Sequence, residues 1–172
     1  MQKHKNQNPK EKRTSASTTS TNPLEGEVTL TRIFDAPREL VFEAWTNPVH
    51  LQRWWGPHHF TNPVCEVDPK VGGAWKIVMR GPAGMEHTSQ GVYREIVPPE
   101  RLVFTNNALD KDGKLLLEGV TTVTLEDLDG KTRQTMHSRV KGLVPYADQM
   151  LAGMEIGWSQ SLERLAEELA TL

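Results

Sequence analysis

The residues that could do chemistry are few and scattered. His50, His58, His59, His87 and His137, with the single Cys65, are the metal-ligand types outside the N-terminal segment. No pair of them has the spacing of a metal-binding helix or knuckle, and one cysteine cannot build a structural zinc site, so no metal is expected. A nucleophile elbow, a phosphate-cradling loop and a dinucleotide fingerprint are missing as well. Gly72-Gly73 lies in a strand-to-strand turn with no helix behind it to bind phosphate. The sequence implies no cofactor and announces no catalysis. Acid–base chemistry needs only one or two ionisable groups facing a pocket, and His59, His87, Tyr93 and His137 are the residues that could supply them.

A different chemistry is offered by large apolar side chains. Met150, Met154 and Trp158 are gathered around Gly153 and Gly157, which sit one helical turn apart. Thioethers beside an indole make a deformable apolar wall, and the same residues are ordinary core fillers. Two glycines inside a helical pattern cost about 1 kcal/mol each relative to alanine, which points to a close approach by backbone or ligand. Upstream, Trp54-Trp55-Gly56-Pro57-His58-His59-Phe60 places two adjacent indoles at a helix end. Neighbouring residues on a helix point about 100° apart, so one indole is expected to anchor the helix and the other to stand at a rim.

These residues need elements to hold them. From Ala147 to Leu172 the positions Ala147, Met150, Leu151, Met154, Trp158, Leu162, Leu165, Ala166 and Leu169 follow the spacing of one face of a long helix. Asp148, Glu155, Gln160, Glu163, Glu167 and Glu168 are assigned to its other side. Glu27–Asp35 alternates like a strand. Asp35-Ala36-Pro37 and Thr46-Asn47-Pro48 then read as the starts of two short helices. Turn signals at 68–73, 81–84, 98–99, 110–113 and 127–130 separate six strand-like segments: 60–67, 74–80, 88–97, 102–108, 117–125 and 133–140. Loops this short permit only antiparallel neighbours, so the six form a meander. A sheet of about seven strands with one long helix to cover it must curl around that helix. Strand parity turns Trp75, Ile77 and Met79 inward, with Tyr93, Leu102 and Phe104. In 133–140 it sets Arg133, Thr135, His137 and Arg139 outside and leaves Met136 inside.

Composition sets outer bounds. The formal charge is −2; residues 1–23 carry five cations against Glu11, or +4, which leaves −6 for the rest. A mildly acidic domain argues against nucleic acid as the main partner and equally against an anionic membrane. Residues 1–24 hold no large apolar residue between Met1 and Leu24 and read as a disordered polar, basic tail, with the domain over 25–172. Neither a signal-peptide core nor a membrane span is present, and the chain reads as cytoplasmic.

Three segments in this order also carry a resemblance. FDAPRELVFEAWTNPVHLQRWWGP (Phe34–Pro57), PPERLVFT (Pro98–Thr105) and GMEIGWSQSLERLAEEL (Gly153–Leu169) resemble the START-like (SRPBCC, helix-grip) superfamily. More narrowly they are similar to the bacterial single-domain relatives of the activator of Hsp90 ATPase. The resemblance covers about Val28 to Leu169. It implies an α+β helix-grip fold: a curved antiparallel sheet of about seven strands wrapped on a long C-terminal helix, with two short helices after the first strand. It further implies a cavity between sheet and helix, with Trp54 or Trp55, His59 and Phe60 near its entrance. The ligand-lining set expected on these grounds is Trp54, Trp55, His59, Phe60, Trp75, Ile77, Met79, Tyr93, Phe104, Met136, Met150, Met154, Gly157 and Trp158. Members of the superfamily bind lipids, sterols, hormones and polyketides. The leading expectation is therefore a hydrophobic small molecule as partner, with a homodimer also compatible. A co-chaperone module acting on an Hsp90-type partner and a polyketide-cyclase-like enzyme are the alternatives.

Overall fold

The computed structural model describes Ala16–Thr19 and Leu24–Leu172. Its elements run β1 (Ala16–Thr19), β2 (Glu25–Phe34), α1 (Arg38–Thr46), α2 (Pro48–Trp54), β3 (Thr61–Val67), β4 (Ala74–Arg80), β5 (Glu86–Val97), β6 (Arg101–Leu109), β7 (Leu115–Leu128), β8 (Lys131–Gly142), α3 (Ala147–Ala152) and α4 (Met154–Leu169). The expected α+β class is the one found. One antiparallel sheet has the order β1-β2-β8-β7-β6-β5-β4-β3, in which β3 to β8 form the meander and β2 closes against β8. Of the segment read as tail, Ala16–Thr19 pairs with β2 from Ala16 opposite Leu30 to Thr19 opposite Glu27. The remainder of that segment lies outside the described residues.

Local chemistry explains the hairpins. Asp110 Oδ1 accepts from the backbone N–H of Asp112 and Lys114 at 2.9 and 2.8 Å, which closes the β6–β7 turn. Asp129 and Gly130 take positive φ values of 52° and 90° between β7 and β8, the left-handed pair that a two-residue hairpin requires. Register shifts between Thr61 and Val64, Tyr93 and Glu95, and Ala108 and Leu109 act as bulges in β3, β5 and β7, alternate strands of the sheet, and deepen the curvature.

The two short helices form as read, with one correction. Asn47 caps α2 by accepting from Val49 N–H at 3.0 Å, with Pro48 in the first turn. Asp35, by contrast, caps nothing: α1 begins at Arg38 behind Pro37, and no side chain caps it.

The C-terminal rod is the larger correction. It is two helices, interrupted at Gly153, which ends α3 and starts α4. The six-residue α3 is seated on the sheet where Gly26 and Gly142 leave room: a Cβ on Gly142 would come within 2.5 Å of Ala147 Cβ. Longer α4 instead packs on α2, β2 and α1. Gly153 itself has φ −86° and ψ −4°, and the low helix propensity of glycine favours a break there. Along α4, Leu162, Leu165 and Leu169 are buried, while Ala166, placed on the same stripe by spacing, is exposed. Glu168, assigned to the solvent side, is buried because His50 Nδ1 and Arg53 Nη1 approach its carboxylate at 3.2 and 3.3 Å.

The concave face of the sheet is largely apolar, and its inward parity is the expected one. Met136 is fully buried, with Thr132, Gln134 and Ser138 of the same strand beside it, whereas Arg133 and His137 face outward to Glu126 and Glu27. Most buried polar groups are paired: Trp45 Nε1 donates to Gln134 Oε1 at 2.7 Å, Thr132 Oγ1 to the Ala36 carbonyl at 2.7 Å, and Thr121 shares a hydrogen bond with Ser138, whereas Gln134 Nε2 and Asn62 Oδ1 have no partner among the described residues. Leu162 is the fully buried centre of α4. Replacing it by Ala should lower the unfolding free energy by about 2–5 kcal/mol, read as a lower urea midpoint at unchanged m-value.

Candidate ligand-binding cleft

The two halves of the concave face are packed differently. In the half beneath α1 and α2, Trp45, Trp54, Trp55, Trp75, Tyr93 and Phe104 interlock edge to face and tilted, with Trp45–Trp54 ring centroids 4.7 Å apart and Trp55–Trp75 5.4 Å. The void left among Trp45, Leu51, Trp55, Trp75, Tyr93, Leu102 and Phe104 is about 10 Å³, room for a single water at most. In the half beneath α3 and the start of α4 a cleft of about 350 Å³ remains. Such a volume lies at the small end of the range for ligand pockets.

Three walls bound the cleft. The helices contribute Gln149, Met150, Gly153, Met154, Gly157, Trp158 and Ser161; the sheet contributes Met79, Ser89, Asn106, Ala108, Leu117 and Val140; the loop after α2 contributes Trp55, Gly56 and Pro57. A Cβ placed on Gly157 would meet nothing within 4 Å. That glycine therefore borders open space, and no backbone presses against it.

The loop wall is held by one side chain. Arg164 Nη1 donates to the carbonyls of Trp55, Gly56 and Pro57 at 2.9–3.0 Å, and Nη2 to that of Arg53 at 2.9 Å. Burial pulls the Arg164 pKa down from its usual value, offset by Glu167, but a guanidinium stays charged, and these carbonyls take up its donors. Gly56 has φ +96°, a conformation that favours glycine, and a Cβ there would stand 2.9 Å from Met79 Sδ and displace that side chain. Asn62 Nδ2 adds bonds to the Gln52 and Trp55 carbonyls.

Six of the residues expected to line a ligand site border the cleft: Trp55, Met79, Met150, Met154, Gly157 and Trp158. Trp54, Trp75, Ile77, Tyr93, Phe104 and Met136 are buried in the core and do not reach the cleft. His59 is exposed, and Phe60 packs 6.2 Å from the His87 ring, away from the opening. Neither indole of the pair stands at a rim in the solvent, since Trp54 and Trp55 are 0% and 6% exposed. Trp55 escapes the helical 100° step because it is the C-cap of α2 in extended conformation, φ −60° and ψ 134°, which turns its ring inward as well. The lining residues Ser89, Asn106 and Ala108 were not anticipated, although alternation from Tyr93 and Phe104 reaches them.

No described residue lining the cleft is Asp, Glu, His, Lys, Arg or Cys. The proton-transfer candidates are elsewhere: His137 pairs with Glu27 on the outer face, and Tyr93 is in the core, where burial pushes its hydroxyl well above the usual phenol range. Among the described residues no group of three or more His, Cys, Asp and Glu is placed to hold a metal ion. A larger depression of about 700 Å³ lies on the outer face, bordered by Glu25, Glu27, Glu118, Arg94, Arg139 and Lys141. Its charges of both signs and its position away from the helices make it a solvated surface.

The family model for Activator of Hsp90 ATPase homolog 1-like protein matches residues 35–170. The chain belongs to this family. Its solved relatives include protein CV1439 from Chromobacterium violaceum, 31% identical, with a TM-score of 0.71 over 83% of this chain and 96% of that one. A protein from Arthrobacter aurescens is 27% identical, with a TM-score of 0.74 over 91% and 92%. The AHSA1 protein from Silicibacter pomeroyi is 27% identical, with a TM-score of 0.69 over 84% and 98%. No protein of curated function matches. The family's START-like, helix-grip architecture is the one described above, and among the described residues no helix is long and apolar enough to cross a membrane.

Cys65 in β3 is the remaining nucleophile, and burial with Glu66 nearby pushes its thiol up to about 11. Only the thiolate reacts, so at pH 8 alkylation by iodoacetamide should be roughly a hundredfold slower than for a free cysteine. The rate should recover when the protein is unfolded in guanidinium.

Proposed function

We propose that the protein binds a small, predominantly apolar molecule in the cleft between the sheet and helices α3 and α4. The observation that carries this reading is the contrast within one concave face: about 10 Å³ of void among the aromatic residues against about 350 Å³ beside Met154, Gly157 and Trp158. The open cleft leaves methionine and indole surface facing water, and a guest that covers this apolar wall gains the free energy of its burial. The wall that borders the cleft is stiffened on one side by Arg164 and deformable on the other through Met79, Met150 and Met154. This combination suits guests of similar size and varied shape.

Gly157 supplies the test. A leucine there would project into the open space and also favour the helix by about 1 kcal/mol over glycine. Gly157→Leu should keep the far-UV circular dichroism and melting temperature of the parent, or raise the latter. Its affinity for the neutral dye Nile red should fall at least tenfold. A folded variant that binds the dye as the parent does would remove the cleft from consideration.

A further inference from the structure

The polar atoms inside the cleft narrow the chemistry of its guest, on the reading that a guest binds there. Asn106 of β6 and Ser89 of β5 both line it. Across the strands Asn106 faces Gly119 and Ser89 faces Ala108, so neither has a polar neighbour to engage. Neither side chain makes a hydrogen bond to another described residue, nor does the indole N–H of Trp158, which borders the same space. Of the other polar side chains that line the cleft, Ser161 is tied to the Gly157 carbonyl at 2.9 Å, and Gln149 is exposed on α3 at the helix side. Polar groups left open in an otherwise apolar cleft are the usual means of orienting a ligand, because each gains a partner only when the ligand brings one.

Charge is what the cleft lacks. An ion entering it would leave water and find no counter-ion, since no described lining residue is ionisable. Arg164, the guanidinium that touches three residues of the wall, already donates to their carbonyls and to that of Arg53. Burying an unpaired ion costs far more than burying a hydroxyl or amide that acquires a hydrogen bond. We infer that the guest is uncharged and amphipathic: an apolar body of about the size the cleft admits, with one neutral hydrogen-bonding head such as a hydroxyl, ester or amide seated at Asn106 and Ser89. Carboxylates and amines with the same body are excluded by the same argument.

Three octyl compounds at pH 7 separate the classes, each competing with Nile red for the full chain: octan-1-ol, octanoate and octylammonium. Octan-1-ol should displace the dye at concentrations at least tenfold lower than either ion. In the variant Asn106→Leu combined with Ser89→Ala, dye binding should persist while the advantage of octan-1-ol over either ion falls severalfold. Equal displacement by octanoate or octylammonium, or an undiminished preference for octan-1-ol in the folded double variant, overturns the assignment while leaving the apolar site standing. Failure of the parent protein to bind Nile red or octan-1-ol at all overturns the ligand-binding reading and this one with it.

Discussion

A mismatch of lengths governs this molecule. The 16 residues of α4 extend about 24 Å at the helical rise, whereas the 14 residues of β7 reach about 47 Å at the rise of a strand. One helix cannot cover the concave side of such a sheet. Among the described residues there is no second long helix, so the remainder falls to the six-residue α3, the loop after α2 and side chains. Curvature reduces the uncovered area, and the three register shifts help produce it. What curvature and α3 together fail to close is the cleft.

The covered half shows what complete closure demands here. Its seal is made of aromatic rings, and rings bring N–H groups that must be satisfied when buried. Trp45 solves this with Gln134 and Trp54 with the Ala44 carbonyl at 2.9 Å, so polar residues on the inner face of β8 are part of the packing. The arrangement commits that half to a solid core. It also explains why most of the large apolar residues that face inward are unavailable to a ligand: Trp75, Tyr93 and Phe104 are engaged with one another, at 5.6 Å between Trp75 and Phe104 and 6.4 Å between Tyr93 and Phe104.

The β3–β8 meander, inward parity and the α2 cap could be read from the residues because each depends on near neighbours in the chain, whereas the pairing of β2 with β8 joins residues far apart in sequence. Alternation in Ala74–Arg80 and the Asn47-Pro48 pair are local signals, and the structure follows them. Three features were out of reach for the same physical reason. The interruption at Gly153 depends on α3 finding its seat at Gly26 and Gly142, residues far off in sequence. Burial of Glu168 depends on His50 and Arg53 arriving from α2. Partition of the inward apolar residues between core and cleft depends on how far α4 reaches, which spacing alone does not encode. Met150, Met154, Gly157 and Trp158 were legible as cleft residues because two glycines among large apolar side chains is a poor way to build a helix for packing alone.

Arg164 recognises main chain only: its four acceptors are the carbonyls of Arg53, Trp55, Gly56 and Pro57. Every amino acid presents the same carbonyl, so substitution at 55 or 57 would alter what a guest touches without withdrawing an acceptor from the guanidinium. Of residues 55–57, Gly56 is bound to its identity, by its positive φ. The entrance thus has a scaffold and an upholstery specified by different side chains, and descendants of this chain are free to exchange the second while inheriting the first.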